Sequence, residues 1–217
     1  MTKKKIISKK KVITLTIIIS AILALGIFTG AQYAINRKPT TTTDISPLIS
    51  INDSRLTGMR LEISFSYESV RSIGSSQFAF WVEDMDGNYI DSLYVTYFTA
   101  RARGYERRPQ SLPHWVSVAQ PGSMLQSELN AISGATPKPG NFIAYWDFTD
   151  RNGNMATGMQ FRYFVHATTF MNENLSYSGI VTVGDEMWEY SPKPEYNSPD
   201  SANNNMISNV KVTFYPN

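Results

Sequence analysis

The stretch MRLEISFSY, Met59 to Tyr67, sets Met59, Leu61, Ile63, Phe65 and Tyr67 against Arg60, Glu62, Ser64 and Ser66 in strict alternation. A period of two means an extended chain with one face buried and one face wet. Working outward, QFAFWVED (77–84) and YIDSLYVTYF (89–98) flank the turn DMDGN (84–88). NFIAYWDF (141–148) and GMQFRYFVHAT (158–168) flank a second turn of the same kind, DRNGN (150–154). Asp and Gly at these positions suit a hairpin, because glycine reaches positive φ and aspartate bonds its own backbone. SYSGIVTVG (176–184) and ISNVKVTFY (207–215) complete the set. The expected fold is all-β: an immunoglobulin-like antiparallel β-sandwich of about seven strands. Only SMLQSELNAI (123–132) reads as helix in this part, and EYSPKPEYNSPDSANNN (189–205) reads as a long polar loop.

The N-terminal region has a different character. Lys3, Lys4, Lys5, Lys9, Lys10 and Lys11 precede a run from Val12 to Ile35 that carries no charge over 24 residues. At 1.5 Å per residue such a helix is about 36 Å long, enough for a hydrocarbon core of roughly 30 Å. The lysines belong on the cytoplasmic side, which sends the remainder outward. A cleaved signal peptide is the competing reading, since Gly30, Ala31 and Ala34 end the run; the length of the run favours an uncleaved anchor. The expected organisation is a cytoplasmic basic tail (1–11), a transmembrane anchor (12–35), a Thr/Pro-rich linker (36–50) and an extracytoplasmic sandwich (51–217). The localisation expected is the cell membrane, single-pass, with the C-terminal domain outside.

Charge sharpens the partner classes. Residues 1–38 hold eight Lys/Arg and no acid, whereas 39–217 hold twelve against eighteen Asp/Glu, a net of −6. An acidic folded part lacks the basic footprint of a nucleic-acid binder. There is no cysteine, so the outer domain must be held by burial alone. The alternating oxygens of Asp84, Asp86 and Asn88, and of Asp150, Asn152 and Asn154, resemble the start of a calcium loop, without the later bidentate glutamate. Arg101, Arg103, Arg107 and Arg108 form a cluster that suits a phosphate or an anionic polymer, or is solvated loop charge. His114, placed before Trp115 at a strand start, and His166 have no further ligand at zinc spacing. No serine, histidine and acid stand in a hydrolase motif, so the domain is expected not to be an enzyme.

The order FAFWVEDMDGNYIDSLYVT, AISGATPKPGNFIAYWDFTDRNGN, FRYFVHAT, SGIVTVG and ISNVKVTFY resembles the bacterial domain-of-unknown-function family 2271, described as predicted periplasmic proteins, over Met59 to Tyr215. The resemblance implies an accessory or carrier role beside extracytoplasmic flavin transferases and membrane redox proteins, which would be partners along with the membrane itself. Ser133, Gly134, Ala135 and Thr136 are similar to the acceptor motif of periplasmic flavin transferases, D-x-x-S/T-G-A/S-T, with Asn130 in place of the leading acid. In such acceptors the threonine carries covalent FMN through a phosphoester, which makes Thr136 the candidate acceptor. Trp115, Tyr145 and Trp146 are candidates to pack on a flavin ring. Two readings stay open for NAISGATPKPG (130–140): a structural turn rich in Gly and Pro, or a site of flavin attachment. An envelope binding or structural module with no cofactor is the alternative function.

Overall fold

The alternating stretch is strand β2 (Arg60–Tyr67), with Leu61, Ile63, Phe65 and Tyr67 buried. It lies in a computed structural model that describes residues 49–50, 57–69, 76–169, 173–199, 201 and 205–217. The other strands are β1 (Ile49–Ser50), β3 (Gln77–Glu83), β4 (Tyr89–Thr96), β5 (Ser133–Gly134), β6 (Gly140–Trp146), β7 (Gln160–Thr168), β8 (Asn174–Thr182), β9 (Trp188–Tyr190), β10 (Glu195–Tyr196) and β11 (Ile207–Tyr215). They form two sheets, ordered β1-β6-β2-β11-β9 and β10-β8-β7-β3-β4-β5. The two inner faces meet in one core: Phe65 of the first sheet packs on Phe80 of the second, ring centroids 4.7 Å apart, and Trp146 on Phe161 at 4.9 Å. This is a β-sandwich, and each of the seven strands read from periodicity is present in it.

Four features depart from expectation. The two aspartate turns do share one geometry, since Asp84 N–H donates to Asn88 O and Asp150 N–H to Asn154 O. Gly87 and Gly153 both sit at positive φ, 86° and 82°. Yet β6 and β7 go to opposite sheets, so the second turn is a corner rather than a hairpin. Phe148, at φ 61°, redirects the chain there, and only the Thr149–Met155 bridge remains of the ladder.

The second departure is helical. Tyr97 and Phe98, read as strand, begin α1 (Tyr97–Ala100). It is followed by α2 (Gly104–Arg107), α3 (Pro113–Ala119), a 3₁₀ turn (Pro121–Ser123) and α4 (Gln126–Ile132). These pack on the outer face of β3 and β4 in a second core of Ala79, Trp81, Val95, Leu112, Trp115, Leu129, Ile132 and Phe164. Every residue of β3 is therefore buried, on both faces. Thus His114 and Trp115 are helical, in α3, and not at a strand start. Proline at the first helical position suits the start of α3, because it has no N–H and an N–H there would have no intrahelical partner.

Third, the polar run 189–205 contains β10 and, with Trp188, forms β9, so it is not wholly a loop. Fourth, the pairing is not all antiparallel: β4 and β5 run parallel, with Val95 opposite Ser133 and Thr96 opposite Gly134. Ile49 and Ser50, at the end of the linker as read, pair with β6. The basic tail, the anchor (12–35) and the rest of the linker lie outside the described residues, and among those described no helix is long and apolar enough to cross a membrane.

Candidate functional site

The S-G-A-T segment leaves α4 as an edge strand and ends in an exposed loop. Ser133 and Gly134 hydrogen-bond to β4, whereas Ala135 and Thr136 are exposed. The hydroxyl of Tyr94 lies 2.7 Å from the Ala135 carbonyl oxygen and 3.1 Å from that of Gly134, and donates to them. Burial, with Tyr67 nearby, raises the Tyr94 pKa above the tyrosine range, so the phenol keeps its proton. The backbone before Thr136 is thereby fixed on two sides while the Thr136 hydroxyl is open to solvent. Ser133 is buried, and its Oγ has no hydrogen-bond partner among the described residues. Asn130, where the acceptor pattern has an acid, sits in the last turn of α4 and accepts from Gln126 Nε2 at 2.9 Å.

A hydroxyl that must enter a second protein's active site needs exposure, small neighbours and a defined backbone. Thr136, with Gly134 and Ala135 before it, meets all three, so these residues fit a phosphoester-linked flavin. The two tryptophans expected from sequence to pack on its ring do not. Trp115 and Trp146 are at most 2% exposed, inside the two cores, and have no free face for a ring. Tyr145, on β6, is exposed.

The calcium-like turns are held by hydrogen bonds of their own. Asp84 Oδ1 accepts the N–H groups of Asp86 and Asn88 at 2.9 and 2.8 Å, and Oδ2 accepts Asn88 Nδ2 at 2.7 Å. Asp150 Oδ1 accepts Asn152 and Asn154 N–H at 2.8 and 2.9 Å. The carboxylates act as turn locks. Burial pushes both carboxyls up, but the hydrogen bonds outweigh it and leave each below its ordinary value of 3.8. Asp150→Ala should lower stability by about 1–2 kcal/mol at neutral pH. The stability these locks contribute is full above about pH 4 and is lost as pH falls through the depressed folded values. Urea unfolding at pH 7 and pH 3 checks both statements: the deficit of the variant should shrink at the lower pH.

The arginine cluster falls at the ends of α1 and α2, with Arg101 just past α1 and Arg103 and Arg108 flanking α2. Arg103 pairs with Glu106 at 2.7 Å, Arg101 lies over the Tyr97 ring at 4.8 Å, and Arg108 over Phe98 at 5.2 Å.

Sequence reading missed one constellation. Glu83, 1% exposed, accepts Trp81 Nε1 at 2.7 Å and His114 Nε2 at 2.9 Å on the same carboxylate oxygen. The His114 and His166 rings lie 5.8 Å apart, and Trp81 meets both edge-on. Burial first, and His114 second, bring His166 down to about 4. Next to it Ser92 Oγ meets Trp115 Nε1 and the Tyr89 hydroxyl, both at 2.9 Å. No three metal-ligating side chains converge among the described residues, so the constellation reads as the polar seam that docks α3 on the sheet. Its members come from β3, α3 and β7, and no local spacing announces it.

At the other end of β4 two cavities of about 450 and 440 Å³ share Tyr89 and Arg151; one is lined by the 84 and 150 turns, the other by Ala119 and Gln120 of the helical layer.

Comparison with known proteins adds one finding. The model of the domain-of-unknown-function family 2271, predicted periplasmic proteins, matches residues 59–169, about half of the chain. Searches of curated proteins and of solved structures give no match. The match starts just before β2 and ends just after β7, so it covers the helical layer and Thr136, whereas β8 to β11 lie beyond it.

Proposed function

The chain belongs to the domain-of-unknown-function family 2271 of predicted periplasmic proteins, and from that premise we propose that it is a non-catalytic carrier or accessory in a flavin-linked extracytoplasmic electron-transfer system, with FMN on Thr136. The observation that carries this reading is the Thr136 hydroxyl, exposed on a loop whose preceding backbone is tied to β4 and Tyr94. An extracytoplasmic flavin transferase is the partner. In the transfer, Thr136 Oγ bonds to the phosphorus of the FMN moiety of FAD, the pyrophosphate bond breaks, AMP leaves, and the hydroxyl proton passes to the transferase. The bound flavin supplies one- and two-electron redox chemistry, and the sandwich holds it outside the membrane. A membrane redox protein would be the electron partner, and the segment 12–35 the anchor that keeps the two close.

Intact-mass measurement of the full chain co-expressed with a flavin transferase tests this. The expected gain is one FMN less one water, retained in Thr136→Ser and absent in Thr136→Ala. No gain in the unaltered chain would overturn the reading. It would favour the second one, a cofactor-free envelope binding module, whose support is the pair of cavities beside Tyr89 and Arg151.

A further inference from the structure

The parallel pairing of β4 with β5 has a consequence for what lies beside Thr136. Thr96 is opposite Gly134, the last pair of the ladder, and α1, which begins at Tyr97, packs against β5. Tyr97 is 47% exposed, although Thr99 and Ala100 of the same helix are buried. Over its ring lies the exposed guanidinium of Arg101, at 4.8 Å. The spacing is fixed by the backbone, since Arg101 N–H donates to Tyr97 O at 2.8 Å and Ala102 N–H to the same oxygen at 3.2 Å. Among the described residues no carboxylate pairs with Arg101, in contrast to Arg103, which is neutralised by Glu106.

An exposed phenol ring with a guanidinium that no described carboxylate neutralises, on the helix packed against the strand that leads to Thr136, is complementary to two parts of the attached group. A phosphodiester on Thr136 carries one negative charge, and a guanidinium binds phosphate oxygens in a fork geometry. The isoalloxazine ring is flat and electron-poor, and it stacks on an electron-rich phenol. The ribityl chain between phosphate and ring gives the reach. The wholly buried tryptophans offer no such face. We infer that Tyr97 and Arg101 form the docking platform for the flavin carried on Thr136, with Arg101 at the phosphodiester and Tyr97 against the isoalloxazine. The inference rests on the reading that Thr136 carries FMN.

A phenol in contact with an excited flavin quenches its fluorescence by electron transfer. The flavinylated full chain should therefore fluoresce weakly, and Tyr97→Leu should brighten it by about threefold or more. Tyr97→Trp, which keeps a stacking ring, should remain dim. Arg101→Gln should brighten it partway and lower its fluorescence anisotropy. Intact mass is read on each sample first. A full mass gain with equal brightness in Tyr97→Leu and the unaltered chain overturns the platform and leaves the Thr136 reading standing. Loss of the mass gain in Tyr97→Leu alone assigns Tyr97 to transferase recognition and also overturns the platform. Absence of any gain in the unaltered chain overturns the reading and the platform with it.

Discussion

Trp81→Ala is expected to lower the unfolding free energy by about 3–5 kcal/mol, the usual cost of emptying a large aromatic site. Trp81 is wholly buried and stacks on Phe164 at 4.9 Å, with both histidine rings against its edges. It also donates its indole N–H to Glu83. Removing it leaves a cavity between β3 and the helical layer and strips one of two N–H donors from a buried carboxylate. The second loss adds about 1–3 kcal/mol. A domain has only about 5–15 kcal/mol in all, so the variant should be close to unfolded at ambient temperature. Trp81→Phe keeps most of the volume and loses only the donor, so its deficit should be the smaller part. Urea midpoints of the two variants check this. A deficit under about 1 kcal/mol for Trp81→Ala would show that the helical layer is not held through this residue.

Mild acid should produce the second large effect. His166 is pushed from 6.5 to about 4 by burial and by His114. Its folded form thus takes up a proton only near pH 4, whereas the unfolded chain takes one up below about 6.5. The stability that depends on the neutral ring is complete above pH 6.5 and drains away as pH falls toward 4. A shift of this size amounts to roughly 3 kcal/mol. His166→Asn should flatten the stability profile between pH 6.5 and 4.5, and leave untouched the later loss from the Asp84 and Asp150 turns. Parallel slopes for variant and unaltered chain across that window would contradict the placement of His166 in a neutral, desolvated pocket.

Most of the strands were readable because they expose one face. Leu61, Ile63, Phe65 and Tyr67 alternate with polar residues along β2, and on β7 Phe161, Tyr163 and Val165 alternate with Arg162, Phe164 and His166, of which Phe164 is buried under the helical layer. The run FAFWV in β3 does not alternate, and that is the one available sign that its outer face is covered as well. The cover itself could not be read. Its helices are four to seven residues long, too short to repeat a 3.6-residue period, and they are held by tertiary packing on Trp81 and Phe164 rather than by propensity. The division of β6 and β7 between sheets hinges on the backbone of Phe148, which no residue preference signals.

The site was half readable for a related reason. S-G-A-T is a contiguous pattern, so Thr136 could be singled out, and the structure exposes it. What lies around it is set by the β4–β5 register, which brings Tyr94 to the loop from some forty residues away in sequence and seats α1 against β5. The tryptophans named as ring partners were core residues, because aromatic side chains in a cysteine-free sandwich are used first for burial. Glu83, His114 and His166 meet only through the β3–β7 ladder and the seat of α3.

The most direct measurement is peptide mapping by mass spectrometry of the chain recovered from cells that contain an extracytoplasmic flavin transferase. The account predicts that the proteolytic peptide spanning Thr136 carries one FMN, with fragment ions placing it on that hydroxyl. An unmodified peptide, or FMN located on any other residue, would contradict it.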